Sequence, residues 1–356
     1  MLDPSGGIWM RHELRRTECR APLTPDDARR LVEGGFEVTV EESPQRAFGI
    51  ERYAEAGCRV TGAGSWVRAP DDVFVLGLKE LSDEPATLRH RHIYFGHAYK
   101  GQPGGVRLLQ RFRAGGGVLL DLEYLVDTGG RRLAAFGYWA GYAGAALAVL
   151  SARGRLAVPL LPVGKEALDA TLRDSEAADE LSTLVIGALG RSGRGARDAL
   201  AVARLTPMCW DLPETRHLDR RALLRHDLLI NAVLTTNPEP PFLTAADLDD
   251  PDRRLKLVCD VTCDVGSPYN LLPIYDAVTD WRQPVRRLRD GGAPLDLIAI
   301  DNLPSLLPEE SSVDFSAQLL PHLLTLGATA PAWQRCRRRF IEALRLFELD
   351  PETTDA

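Results

Sequence analysis

A run of closely spaced glycines follows an apolar segment in the second half of the chain and precedes a single aspartate. Residues 187–193 read Gly-Ala-Leu-Gly-Arg-Ser-Gly and follow the apolar residues 184–186, and Asp211 follows the apolar residues 208–210. Glycines at the end of a buried strand let the backbone approach a pyrophosphate, which the amides of the next helix can bind. An acid at the end of a second strand can accept ribose hydroxyls. The pattern predicts a dinucleotide site, and Asp211 favours NAD over NADP.

Two titratable side chains follow apolar runs in the first third of the chain. Lys79 comes after residues 75–78 and His97 after residues 93–96. At neighbouring strand ends they can converge, and burial or a carboxylate such as Glu80 or Glu123 can tune their proton affinity. The pair predicts acid–base chemistry, although such residues are more often solvated or packed when they occur singly.

Other polar side chains have weaker signals. A guanidinium binds a carboxylate through two parallel hydrogen bonds, so Arg20, Arg131 and Arg132 are candidates to bind an acidic substrate. Arginines of this kind are more often ordinary surface groups. His90 and His92 have a spacing that can chelate a metal, but no further ligands lie nearby, and we predict that they are at the surface.

Composition narrows the class of protein. The chain has 356 residues, a net charge of −7 and scattered basic residues, which fits two domains and argues against nucleic acid as a partner. No apolar run approaches the roughly 20 residues of a membrane span, and the N-terminus lacks a signal peptide, so we expect a cytoplasmic location. The six cysteines form no C-x-x-C pair, so neither a disulfide nor a bound metal is expected.

The elements that must position these residues alternate between strands and helices. Short strands are predicted at residues 36–40, 73–76, 93–95 and 117–120, with a capped helix from Thr24 to Gly34. A tightly packed helix is predicted within the glycine- and alanine-rich residues 134–150. A second series of strands begins at the glycine turn and continues at residues 228–231, 256–260 and 297–301, and residues 315–349 are helical in character. Such alternation predicts an α/β fold with parallel sheets.

Several of these segments closely resemble the NAD-dependent, lysine-forming saccharopine dehydrogenases, within the wider alanine dehydrogenase and transhydrogenase-like group. The resemblance covers nearly the whole chain, and the matching segments are residues 9–13, 18–25, 77–80, 94–100, 121–123, 130–137, 187–195, 210–215, 260–264 and 300–308. It implies two Rossmann-like domains with parallel sheets and an active-site cleft between them. Residues 1–136 with 312–356 would form the substrate domain, and residues 137–311 the NAD-binding domain.

The resemblance also implies a reaction and roles for individual residues. The family oxidises saccharopine with NAD and water to L-lysine, 2-oxoglutarate and NADH, and the reaction is reversible. Lys79 would take the proton of the secondary amine, and His97 would act as acid and base in water addition and carbinolamine collapse. Glu80, Glu123 and Lys100 would tune them electrostatically.

The same match assigns the binding residues. Those implied for the substrate are Arg20, Gln102, Arg132, Phe136, Thr262, Cys263 and Asp264. Those implied for NAD are Arg131, Gly190, Arg191, Asp211, Thr215, Val261, Ile300, Asp301, Asn302 and Leu303.

The sequence departs from the family pattern at two positions of the implied NAD site. The family has a tyrosine where this chain has Leu234, and a histidine where it has Asn302. The lysine-binding part of the pocket is the least securely matched. Two alternatives therefore stay open: an opine-type dehydrogenase that joins 2-oxoglutarate to a different amino acid or amine, and a non-catalytic NAD-binding regulator.

Overall fold

The computed structural model describes residues 7–102, 104–174, 181–235, 237–267, 269–291, 293–326 and 330–349. The chain divides into two compact units. The first unit comprises Met1–Ala135 and Ser311–Ala356, and the second unit comprises Phe136–Glu310.

The strands of the described residues form one six-stranded sheet in each unit. In the first unit they are β1 (Ile8–Met10), β2 (Val38–Glu41), β3 (Arg59–Thr61), β4 (Phe74–Leu76), β5 (Arg91–Tyr94) and β6 (Val118–Asp121). In the second unit they are β7 (Thr183–Ile186), β8 (Met208–Trp210), β9 (Leu228–Asn231), β10 (Leu257–Asp260), β11 (Arg286–Arg289) and β12 (Leu295–Ile298).

Strand order defines where each sheet can bind a ligand. The first sheet has the order β3-β2-β1-β4-β5-β6 and is parallel throughout. The second has the order β11-β12-β10-β9-β7-β8, and only its edge strand β11 is antiparallel. In such open sheets, ligands bind at the carboxyl ends of the strands where the order reverses, which is between β1 and β4 and between β7 and β9. The predicted α/β class with two parallel sheets is confirmed, apart from β11.

The helices complete the two units. They are α1 (Pro25–Glu33), α2 (Ile50–Glu55), α3 (Gly105–Gly115), α4 (Gly137–Ala152), α5 (Lys165–Asp174), α6 (Arg191–Val202), α7 (Leu212–Thr215), α8 (Arg220–Leu224), α9 (Pro308–Leu323) and α10 (Pro331–Leu349). Short 3-10 helices span Ser65–Arg68, Leu122–Tyr124, Asp247–Asp249 and Leu303–Leu306. No helix in the described ranges is both long and apolar enough to cross a membrane.

Most predicted elements occur close to their expected places. Thr24 caps α1 by accepting the amide of Asp27 at 3.2 Å, and the tail is helical as predicted. The strand expected at residues 36–40 begins two residues later, because the amide of Phe36 still donates to Leu31 at the end of the preceding helix.

The prediction that His90 and His92 are at the surface was wrong. Their residues are 1% and 0% exposed, and the ring of His92 lies 5.1 Å from Trp66 and 5.3 Å from Phe112, edge to face in both cases. His92 and Tyr94 share one face of β5, which α3 covers, so they pack as aromatic core residues. Burial lowers the pKa of His92 well below its ordinary value.

The predicted glycine-rich helix is α4, and it packs against α6 through glycines. A Cβ on Gly141 would lie 1.7 Å from the backbone oxygen of Ser192. A Cβ on Gly195 would lie 1.9 Å from the backbone oxygen of Tyr138. These contacts let α4 approach the start of α6, the helix that follows the glycine turn.

We expect Gly141→Ala to lower the free energy of unfolding by at least ~1–3 kcal/mol, because the added methyl meets rigid backbone and the helices must separate. Urea unfolding measures the change. Gly164→Ala is the matched control, since the nearest neighbour of its added Cβ is the end of the Glu310 side chain at 3.9 Å. Equal stability of the two variants would contradict the expected close packing.

A buried carboxylate at the end of β2 organises the adjoining loops. Glu41 accepts hydrogen bonds from the side chains of Trp9 and His12 at 3.0 and 2.8 Å and from the amides of Gly64 and Trp66 at 2.9 and 2.6 Å. Burial acts to raise the pKa of Glu41, but these hydrogen bonds outweigh it and lower the pKa to about 2.

Because the folded pKa lies below the ordinary value, Glu41 stabilises the fold above about pH 4.5, and this contribution is lost as the pH falls toward 2. We expect Glu41→Gln to reduce the free energy of unfolding most at neutral pH, with the deficit shrinking by about 3 kcal/mol toward pH 2. Urea unfolding across this range measures it. Glu37→Gln, at an exposed position, serves as the control. A deficit that does not depend on pH would contradict the assignment.

Candidate active site

Lys79 lies three residues beyond the end of β4, beside the point where the strand order of the first sheet reverses. Its backbone amide donates to Glu13 at 3.0 Å, and its carbonyl accepts from the guanidinium of Arg11. Its side chain is half-buried. The neighbouring Glu80 is exposed and forms an ion pair with Arg15. Burial acts to raise the pKa of Glu80, and the hydrogen bond from Arg15 reverses that effect and lowers it.

His97 follows β5 and faces a carboxylate. Its Nδ1 lies 3.5 Å from Glu123, whose other oxygen accepts from Lys100 at 2.8 Å. The backbone of His97 has a φ of 48°, a value that turns the chain sharply at this point. The hydrogen bond with His97, followed by that of Lys100, lowers the pKa of Glu123 to about 2 against the opposing effect of burial. Glu123 is therefore a carboxylate at any working pH, and its charge can orient the imidazole of His97.

A second carboxylate lies behind Glu123. Asp121 is fully buried at the end of β6, and its Oδ1 accepts the backbone amide of Glu123 at 2.9 Å. Burial raises the pKa of Asp121 to about 6. The side chain of Asp121 thus fixes the start of the short helix that carries Glu123.

The substrate-binding candidates of the first unit lie on its loops. The guanidinium of the buried Arg20 is held by both oxygens of Glu18, at 2.7 and 2.5 Å. The side-chain oxygen of Gln102 accepts the amide of Lys100 at 2.8 Å. Arg132 is half-buried and pairs with Val126 in an isolated β-bridge, whereas Arg131 is exposed. Phe136, assigned with them, is buried at the first position of the second unit and precedes α4.

The glycine turn of the second unit joins β7 to α6. Gly187 has a φ of 79°, and a Cβ on Gly193 would lie 2.1 Å from the carbonyl oxygen of Gly187. Gly190 caps α6, so the amides that follow it point out of the helix start. Gly187 and Gly193 leave no room for a side chain in this turn, and it has the close backbone approach that a dinucleotide pyrophosphate requires.

Asp211 lies beside that turn. Its Oδ2 accepts the amide of Leu189 at 3.0 Å, and its Oδ1 accepts the amide of Leu212 at 2.9 Å. The hydroxyl of Thr215 donates to the backbone oxygen of Asp211 at 3.0 Å. The carboxylate is therefore fixed next to the helix start before any ligand binds, and these residues fit the pyrophosphate and ribose of a dinucleotide.

Asp260, the last residue of β10, holds the loop that carries the other assigned residues. It accepts hydrogen bonds from the hydroxyl of Thr262 at 2.7 Å, the side-chain amide of Asn231 at 3.0 Å and the hydroxyl of Tyr275 at 2.7 Å. Cys263 then adopts a φ of 52°. The half-buried residues of this loop assigned to ligands are Val261, Thr262, Cys263 and Asp264.

The last assigned stretch follows β12. Ile300, Asn302 and Leu303 are buried, and the side chain of Asn302 accepts a hydrogen bond from Trp281 at 3.1 Å. Asp301 is exposed. Leu234, which stands where the family has a tyrosine, is also exposed, at 53%.

Several side chains that form hydrogen bonds with the predicted site residues and fix their position were not predicted from the sequence. These are Arg11 and Glu13 at Lys79, Glu18 at Arg20, Asp121 at Glu123, and Asp260 with its partners at Thr262. A sequence signal existed for both aspartates, because Asp121 directly follows the predicted strand at residues 117–120 and Asp260 ends the predicted strand at residues 256–260. For Glu13 there was none, since its contacts at residues 78 and 79 are 65 and 66 positions away.

Comparison with known proteins first defines the class. Residues 9–143 match the model of the alanine dehydrogenase/PNT N-terminal domain. A solved L-alanine dehydrogenase structure superposes with a TM-score of 0.66 at 16% identity, covering 94% of each chain. The fold is that of the alanine dehydrogenase-like proteins with two Rossmann-like sheets.

Two full-length relatives narrow the class. The saccharopine dehydrogenase (NAD⁺, L-lysine-forming) of Emericella nidulans is 40% identical over 364 residues, covering 94% of this chain and 96% of its own length. The enzyme of the same name from Neurospora crassa is 41% identical over 357 residues, covering 94% and 95%. The chain belongs to the NAD⁺-dependent, L-lysine-forming saccharopine dehydrogenase family.

Proposed function

We propose that this chain oxidises saccharopine with NAD⁺ and water to L-lysine, 2-oxoglutarate and NADH, and that it catalyses the reverse reductive amination. The observation that carries the proposal is about 40% identity, over 94% of the chain, to relatives named for this activity. The glycine turn with its adjacent acid, and a lysine and a histidine at the strand ends of the other sheet, supply the side chains that the reaction needs.

The second unit is proposed to bind NAD, which accepts a hydride from the α-carbon of the glutaryl part of saccharopine. Gly190 and Arg191 begin α6 and would contact the pyrophosphate, while Asp211 and Thr215 would contact the adenosine ribose. The remaining proposed contacts are Arg131, Val261, Ile300, Asp301, Asn302 and Leu303. The buried members of this set would contribute through their backbone.

The first unit is proposed to supply the proton transfers. The amine of Lys79 removes the proton from the secondary amine of the substrate, which leaves the nitrogen lone pair available to form the imine. His97 then removes a proton from the attacking water and later protonates the departing nitrogen of lysine. Glu123 holds the Nδ1 side of the imidazole, so Nε2 is the atom that exchanges protons.

Substrate binding is proposed to depend on charge. Saccharopine carries carboxylates, and Arg20 and Arg132 match them because a guanidinium binds a carboxylate with two hydrogen bonds. Glu18 already holds the side chain of Arg20 in one conformation, so Arg20 loses no rotamer freedom when the substrate binds. Gln102, Phe136, Thr262, Cys263 and Asp264 complete the proposed set. Residues 1–136 with 312–356 would then be the substrate domain and residues 137–311 the NAD domain.

The central test follows NADH oxidation with 2-oxoglutarate and a panel of amines that includes L-lysine. We expect turnover with L-lysine, and we expect Lys79→Met and His97→Gln to lower kcat by ~10²–10⁴-fold, because each removes a proton-transfer group. Lys256→Met and His217→Gln are controls at exposed positions of the second unit.

Each alternative function has its own outcome in this assay. Turnover with another amine but none with L-lysine would identify an opine-type dehydrogenase. Binding of NADH without turnover of any amine would identify a regulator that keeps the fold.

Cofactor preference gives a separate test. We expect Asp211→Asn to raise the KM for NAD⁺ by about 10-fold or more, because a neutral amide replaces a charged acceptor of ribose hydroxyls. Asparagine also caps helices well, so α7 should persist. The KM values for NAD⁺ and NADP⁺ measure the effect, with Asp219→Asn at the N-cap of α8 as the matched control. An unchanged ratio of the two KM values would refute the assigned role.

A further inference from the structure

Arg11 and Glu13 form a buried ion pair just beyond the end of β1. Their residues are 2% and 4% exposed, and Arg11 Nη1 lies 3.4 Å from Glu13 Oε2. Burial raises the pKa of Glu13, and the charge of Arg11 opposes that effect. Removing two charged groups from water costs free energy that can exceed their mutual attraction. A buried ion pair is therefore weak evidence that its role is to stabilise the fold. The hydrogen bonds of Arg11 and Glu13 show which segment of the chain the pair holds.

Both side chains bind the backbone of Lys79, and Glu13 also binds that of the residue before it. Glu13 accepts the amide of Leu78 through Oε1 at 2.7 Å and the amide of Lys79 through Oε2 at 3.0 Å. Arg11 donates to the carbonyl oxygen of Lys79. The remaining carbonyl, that of Leu78, accepts the amide of Phe95 at 3.2 Å. Every backbone polar group of these two residues is therefore bonded, although they lie beyond the end of the strand.

The sheet register explains how the pair reaches Lys79. Met10 in β1 is paired with Leu76 in β4, so Arg11 and Gly77 follow side by side. A Cβ on Gly77 would lie 2.5–2.7 Å from three guanidinium atoms of Arg11. Because Gly77 has no positive φ, this glycine is required for space and not for backbone conformation. The space left by its missing side chain lets the guanidinium of Arg11 pass the chain just beyond the end of β4.

The loop on the other side of the pair is fixed as well. The side chain of Gln45 donates to the backbone oxygen of Glu13 at 2.7 Å, and Arg46 donates to the backbone oxygen of Arg11 at 3.2 Å. The guanidinium of Arg11 also lies 5.5 Å from the ring centroid of Tyr94. The pair thus contacts the segments that follow β2 and β4 and the last residue of β5.

We infer that Arg11 and Glu13 are positioning residues. They fix the backbone of Lys79 and so hold its side-chain amine in one position relative to the substrate. The inference rests on the role proposed for Lys79. A lysine has a long flexible side chain, and a rigid backbone removes one source of displacement. A displacement of about 1 Å at a reacting group can cost ~10²-fold in rate, so the effect is measurable.

The test is a double-mutant cycle with two independent disruptions of the pair. Glu13→Gln removes the charge and one acceptor, whereas Gly77→Ala displaces Arg11 without changing either charge. We expect each variant to lower kcat by ~10–10²-fold in the wild-type background, with the KM for NAD⁺ unchanged. In the Lys79→Met background we expect neither variant to lower kcat further.

The matched control is Glu41→Gln, which removes another buried carboxylate of the same unit, one that accepts the backbone amides of His12, Gly64 and Trp66. It should lower stability, and its effect on kcat should be the same with and without Lys79. Independent, multiplicative effects of Glu13→Gln and Lys79→Met on kcat would overturn the inference and leave the proposed function standing.

Amide hydrogen exchange separates this inference from the reaction itself. We expect Glu13→Gln to speed exchange at Leu78 and Lys79, and Glu41→Gln to speed it at His12, Gly64 and Trp66 instead. If the wild type turned over no saccharopine, the proposed function would fail, and unchanged exchange at Leu78 and Lys79 would separately overturn the backbone contacts. Full activity of Lys79→Met would overturn the role of Lys79 and the inference with it.

Discussion

Buried carboxylates that accept backbone amides are the interaction on which both sheets depend at their carboxyl ends. Glu13, Glu41 and Asp121 do this in the first unit, and Asp260 does it in the second. Where a parallel strand ends, the chain leaves the ladder and its amides lose their partners. A carboxylate has two oxygens and several acceptor positions, so one side chain can satisfy two or more amides of a loop. The loops thereby become fixed structure, and these are the loops that carry the candidate residues.

The energetic balance of such a group depends on how many donors it receives. Glu41 has several donors, and its pKa falls to about 2 despite burial. Asp121 is buried with fewer donors, and its pKa rises to about 6. Glu13 lies between these two cases. It accepts two backbone amides and faces Arg11, yet burial still raises its pKa. Buried carboxylates thus span a wide range of proton affinity, which depends on the balance between burial, hydrogen bonds and nearby charges.

The sequence predicted those features that depend on neighbouring residues. The glycine turn, the cap of α1 and the acid at Asp211 follow from short patterns, and the structure contains each of them. The His-x-His spacing failed as a surface signal because alternation along a strand puts both rings on one face, and a parallel sheet is covered on both faces. The contact of Glu13 with Lys79 needs the pairing of β1 with β4, and no local pattern encodes that register.

The pKa values of two neighbouring carboxylates beside His97 are shifted in opposite directions, and these shifts set the charge of the site. Glu123 receives His97 and Lys100 and stays ionised, whereas Asp121 is buried behind it and has a pKa of about 6. Environments that separate the proton affinities of adjacent acids allow them to take different roles. Glu123 supplies the constant negative charge that faces the imidazole. Asp121 holds the backbone of Glu123 through an oxygen that accepts in either protonation state, so its titration changes the charge behind the site without releasing the loop.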